Sequence, residues 1–210
     1  MLTDRIHYGK AEQDRRWSNA PTPHFDPTWK RITLPAPPVN TDRQTRDELL
    51  EIRRLHKATT PVQRSLIEKQ DKDKLEMVFV EFLRKRGVPV QRDLLSKIKA
   101  LSEELTTIGL HFKEKFDRAR PNQLFEAMGL EPLPEGETTG TPSYPSNHAL
   151  IGTFLAEWLA EQFPGEAVAL KRLGSQLGDL RVVGGWHFPS DVEAGRALAK
   201  KLKSYFEEEP

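Results

Sequence analysis

From Thr41 onward, apolar residues return every three or four positions, the period of helices with one buried face. Leu49, Leu50, Ile52 and Leu55 mark a first amphipathic helix over about 42–57. A second is predicted over about 61–86, charged at first (RSLIEKQDKDKLE) and apolar later (Met77, Val78, Phe79, Val80, Phe82, Leu83), with Gly87 and Pro89 as its stop. The third shows the sharpest seam: Leu94, Ile98, Leu101, Leu105, Ile108 and Phe112 repeat at spacings of 4, 3, 4, 3 and 4. It should end near Ala119, because Pro121 disfavours helical geometry in the residue before it. A short helix over 122–128 and a proline- and glycine-rich loop, Glu131 to Pro145, come next. Three more helices are predicted at about 147–163, 165–181 and 190–206. No strand series or internal repeat is apparent. The expected fold is an all-α bundle of about six to seven helices with the active site between helices.

Residues 1–41 break this pattern. Pro21, Pro23, Pro27, Pro35, Pro37 and Pro38 oppose a long helix or central strand, and Trp17, Phe25 and Trp29 stand among polar neighbours. An extended arm is expected, its aromatics lying on the helical domain (42–210) or on a second copy of the chain in a homo-oligomer.

Composition narrows the classes of function. The 210 residues include no cysteine, which excludes disulfides, thiolate metal sites and cysteine nucleophiles. A net charge of +1 gives no general attraction to nucleic acid or anionic lipid. Neither a secretory apolar segment nor a run of about 18 apolar residues is found, so a cytoplasmic protein without a membrane span is expected.

Three clusters carry candidate chemistry. In Lys113 to Pro121 (KEKFDRARP), two cations seven residues apart would share a face of one helix, about 10 Å apart along its axis. Pro145-Ser146-Asn147-His148 reads as a helix start with Ser146 as N-cap, free backbone N–H groups suited to an anion, and His148 in the first turn. In Arg181 to Asp191 (RVVGGWHFPSD), Asp191 can hold one nitrogen of His187 and leave the other as a nucleophile, while Arg181 offers a planar fork to oxyanion oxygens.

Together, Lys113-x6-Arg120-Pro121, Pro145-Ser146-Asn147-His148 and Arg181-x5-His187-x3-Asp191 resemble the tripartite signature of the type 2 phosphatidic acid phosphatase superfamily. That superfamily also holds class A bacterial acid phosphatases and vanadium haloperoxidases. The resemblance implies two-step phosphoryl transfer without a metal or other cofactor. His187 would attack phosphorus, Asp191 orient it, and His148 protonate the leaving oxygen and then activate water. Lys113, Arg120, Ser146, Asn147 and Arg181 would hold the phosphate. The sequence departs from the pattern at Asn147, where glycine is usual, and at Leu180, where serine is usual. A small water-soluble phosphomonoester or pyrophosphate-type substrate is expected. The alternatives are a vanadate-bearing haloperoxidase in the same pocket, a metal-dependent phosphoesterase ligated by His148, His187 and Asp191, and a non-enzymatic assembly module. His7, His24, His56 and His111 are read as ordinary surface or core positions.

Overall fold

A computed structural model describes residues 3–9, 19–72 and 74–208. Among these residues, eight α-helices run in the order α1 (Arg43–Lys57), α2 (Pro61–Lys72), α3 (Leu75–Lys85), α4 (Arg92–Phe116), α5 (Pro121–Ala127), α6 (Asn147–Gln162), α7 (Ala167–Val183) and α8 (Pro189–Leu202). Among the described residues there is no strand, only two isolated bridges, His7 to Arg118 and Phe25 to Phe206. The all-α expectation holds. No described helix is long and apolar enough to cross a membrane.

Other helix ends shift by one to four residues, and two differences from the sequence reading have physical reasons. The single helix expected over 61–86 is two, α2 and α3, because their buried faces point to different places. Ile67 of α2 packs in a small cluster with Leu180 and Trp186, whereas Phe79, Val80 and Leu83 of α3 enter the main core. Helix α4 stops at Phe116, three residues before Ala119, since Asp117 adopts a left-handed conformation (φ 43°) and its N–H caps the Lys113 carbonyl at 2.9 Å.

Helix α6 is apolar around most of its circumference and accordingly occupies the centre, against α3, α4, α7 and α8. Its neighbours approach through small residues. A Cβ on Gly174 of α7 would lie 2.3 Å from the Gly152 carbonyl of α6, and one on Gly195 of α8 would lie 2.4 Å from the Ser146 carbonyl. These contacts draw the start of α6, the end of α7 and the start of α8 to one corner of the bundle.

The N-terminal segment is partly core. Phe25 and Trp29 are 2% and 1% exposed, and Phe25 meets Phe154 and Phe206 at centroid distances of 5.3 and 5.7 Å. Pro27–Arg31 form a 3-10 turn whose first N–H groups are capped by Asp26. Trp17 lies outside the described residues.

Adding a methyl group at the α6–α7 contact should destabilise the bundle. Gly174→Ala is expected to cost about 1–3 kcal/mol by overpacking, read as a lower thermal midpoint, whereas Ala at the open, solvent-facing Gly165 should cost less.

Candidate active site

Because α4 ends early, Lys113 and Arg120 do not share a helix face as the sequence suggested. Lys113 sits in the last turn of α4; Arg120 is the residue before Pro121, at the N-terminal cap of α5. They still converge, reaching one cavity from two elements. The buried Lys113 Nζ donates to the Pro142 and Ser143 carbonyls. Arg120 donates through Nε to the Thr141 carbonyl (2.8 Å) and through Nη1 to the Trp186 carbonyl (2.7 Å). Two cations therefore hold the loop that the sequence placed at residues 131–145.

Asp191 is fully buried in the first turn of α8 and accepts four hydrogen bonds. They come from Arg118 Nη1 (2.5 Å), Ser143 Oγ (2.5 Å), the Phe188 N–H (2.9 Å) and His187 Nδ1 (3.1 Å). Burial works to raise the carboxyl, but Arg118, His187 and Ser143 outweigh it and keep it far below the usual carboxylate range. On the other side of the imidazole, Arg120 Nη1 lies 3.1 Å from His187 Nε2. A carboxylate can only accept and a guanidinium can only donate, so the proton is on Nδ1 and the Nε2 lone pair faces Arg120. The expected carboxylate–imidazole pair is present, with its tautomer fixed from both sides.

The cavity in front of these groups is about 640 Å³, and its walls include Lys113, Arg120, Asn147, His148 and His187. Ser146, Arg181 and Asp191 are buried and do not line it. Ser146 is the N-cap of α6, its Oγ accepting from the Ala149 N–H at 3.4 Å. His148 and His187 are both pushed well below the ordinary imidazole value, first by burial and then by the surrounding Arg120, Lys113 and, for His148, Arg181. Burial likewise lowers the Arg120 and Arg181 guanidinium groups to about 10.

Three participants escaped the sequence reading. Arg118 ties Asp191 to Glu48 of α1 and stacks 4.0 Å from the Phe188 ring centroid. Its signal was hidden by the helix expected to run to Ala119: only where Asp117 ends α4 do Arg118 and Arg120, at i and i+2 of an extended segment, share a side. Ser143 gave no signal beyond a polar loop. Asp71, in a stretch read as a charged helix face, accepts from both Nη atoms of Arg181 at 3.1 Å. Burial opposes its ionisation, but the Glu137 N–H, Thr138 and Arg181 hold its carboxyl below the usual range. Both departures from the expected pattern have structural partners. Leu180 packs on Ile67, which seats α2 so that Asp71, one turn later, meets Arg181. The Asn147 amide lies over Gly109, where a Cβ would come within 1.9 Å of its Oδ1.

Residues 98–200, which hold every one of these three clusters, match the model of the PAP2 superfamily. The helical core that carries the site belongs to that superfamily. Related sequences include a "Non-specific acid phosphatase" of Salmonella typhimurium, 38% identical over 45% of this chain and 40% of that protein. Another from Providencia stuartii is 34% identical over 41% of this chain and 35% of its own length. An "Acid phosphatase" of Zymomonas mobilis is 44% identical over 27% of this chain and 22% of its own. The chain thus aligns with well under two thirds of these relatives. Its fold is similar to that of a bacterial vanadium-dependent iodoperoxidase, with a TM-score of 0.65 and 16% identity over 84% of this chain and 51% of that one.

Removing the cation that balances the buried Asp191 should be costly. Arg118→Met is expected to lose about 3–5 kcal/mol of stability, because an ionised carboxylate is left without its charged partner; a urea midpoint measurement checks this.

Proposed function

We propose that the protein is a phosphatase acting on a water-soluble phosphomonoester or pyrophosphate-type substrate through a phosphohistidine on His187. What supports this reading is the fixed tautomer: Nδ1–H is committed to Asp191, and unprotonated Nε2 meets Arg120 Nη1 in the wall of a cavity shared with Lys113 and His148. A tetrahedral oxyanion in that cavity brings its oxygens to the guanidinium of Arg120 and the ammonium of Lys113, both strong donors to phosphate.

In the first step, the Nε2 lone pair forms a bond to phosphorus while the ester P–O bond breaks, and the leaving oxygen takes a proton from His148. The imidazole then carries positive charge, which the buried carboxylate of Asp191 stabilises. In the second step, water gives its proton to His148, attacks phosphorus and releases Nε2 and inorganic phosphate. The charge spreading over the equatorial oxygens in both steps falls to the fixed cations Lys113 and Arg120, with the Asn147 N–H beside them in the cavity wall, so no metal ion is required. Acid phosphatases among the relatives support the reaction class.

His187→Ala should fold with unchanged helical circular dichroism and lose at least about a thousandfold in turnover of phenyl phosphate. Dialysis of the wild type against EDTA should leave its rate intact. An active variant would remove the nucleophile from the proposal, and peroxide-driven halide oxidation after vanadate loading, with no phosphate release, would assign the pocket to haloperoxidase chemistry instead.

The pH dependence follows from the two lowered imidazoles. His187 must be neutral to attack, and its depressed value keeps it neutral into the acid range; His148 must be protonated to donate, and its depressed value postpones that to acid pH. Activity should therefore rise only as pH falls below the ordinary imidazole range, and decline once His187 is itself protonated. A kcat/KM profile that peaks on the alkaline side would contradict these roles.

A further inference from the structure

The cavity is several times larger than a phosphate group needs, and much of its wall does nothing for the phosphate. That extra wall runs along α4. Ser102, Thr106, Leu110 and Lys113 follow one another at spacings of 4, 4 and 3, so they share one face, and all four line the cavity. From Lys113 back to Ser102 the face extends about 16 Å at 1.5 Å per residue. Across from it stand Leu75, Ile151 and Glu76. Leu75 and Glu76 belong to α3, outside the segment shared with the superfamily.

Glu76 is the informative residue. It is only 9% exposed, it plays no part in holding the phosphate, and it stands at the end of the cavity remote from Lys113. Its hydrogen bond is from Ser102 Oγ to Oε2, at 3.3 Å. A carboxylate has about four acceptor positions, and one long hydrogen bond leaves the others to the cavity that Glu76 lines. The hydroxyls beside it cannot supply more: Ser102 has given its proton to Glu76, and Thr106 donates to the Ser102 carbonyl at 2.8 Å. These two hydroxyls turn their protons into the protein and leave lone pairs toward the cavity, whose rim also carries Lys72 and Lys74. Asp71, a second acidic group on the wall, is taken by Arg181.

We propose that this wall is a leaving-group subsite. It takes an ester whose body is apolar, packing on Leu75, Leu110 and Ile151, and whose far end presents a hydrogen-bond donor, a hydroxyl or an ammonium, to Glu76. The inference rests on the phosphatase reading for the position of the phosphate at Lys113 and adds selection by the tail.

Three aryl phosphates of equal length test it: 4-(3-aminopropyl)phenyl, 4-(3-hydroxypropyl)phenyl and 4-butylphenyl phosphate. The wild type should favour the two donor-ended esters over the butyl one by about tenfold or more in kcat/KM. Glu76→Met should abolish or invert that ratio. Ser102→Ala should increase it, because the carboxylate then loses its internal partner, a gain that a merely structural role for Glu76 would not produce. Equal rates for the three esters in the wild type, or ratios untouched by both variants, would overturn the subsite. If phenyl phosphate itself is not hydrolysed, the phosphatase reading fails separately. The same ratios are then read from binding affinities of the intact esters, where donor-ended and butyl-ended compounds binding alike would overturn the proposal. Should Glu76→Met not fold, the Ser102→Ala ratio decides.

Discussion

The site depends on a single buried carboxylate. Asp191 has no exposure to water, so every lone pair it does not share inside the protein would cost free energy. Its four donors come from three stretches of chain: the linker after α4, the loop before α6, and the turn before α8, which supplies both the Phe188 N–H and the imidazole. Satisfying one side chain thus fixes the relative positions of segments far apart in sequence. The Ser146 N–H donating to the Asp191 carbonyl at 3.0 Å adds a backbone link between the starts of α6 and α8. The His187 imidazole is thereby held by the same contacts that fix the core around it.

This arrangement needs helices that approach closely, and the glycines of α7 and α8 permit it. Bulky residues at the α6 interfaces would push the three helix ends apart by a few ångströms, enough to break the hydrogen bonds at Asp191. Packing and chemistry are therefore coupled at the same corner. The cations add a further constraint, since Lys113 and Arg120 anchor the loop over 131–145 through its carbonyls and also line the cavity. Loop order and the charge of the cavity wall thus draw on the same two side chains.

Much of the fold was legible because helical periodicity is a local property. The 4-3-4-3-4 seam of α4 and the apolar run of α6 predicted the right elements, and the pairing of His187 with Asp191 followed from their four-residue spacing across a helix start. The misreadings arose where tertiary contacts overrode local pattern. Nothing within 61–86 reveals that Ile67 and Phe79 belong to different clusters, and a left-handed aspartate at 117 cannot be anticipated from a helix-compatible sequence. Asp71 was missed for a related reason: its partner, Arg181, is 110 positions away.

The contact between Asn147 and Gly109 has a consequence for how this lineage can vary. An amide oxygen on α6 occupies the volume that a methyl group on α4 would need. The two positions therefore form one steric unit, and a change at either is conditioned by the other. Homologues with a side chain at 109 should carry glycine at 147, and the asparagine seen here could be acquired only on a background already bare at 109.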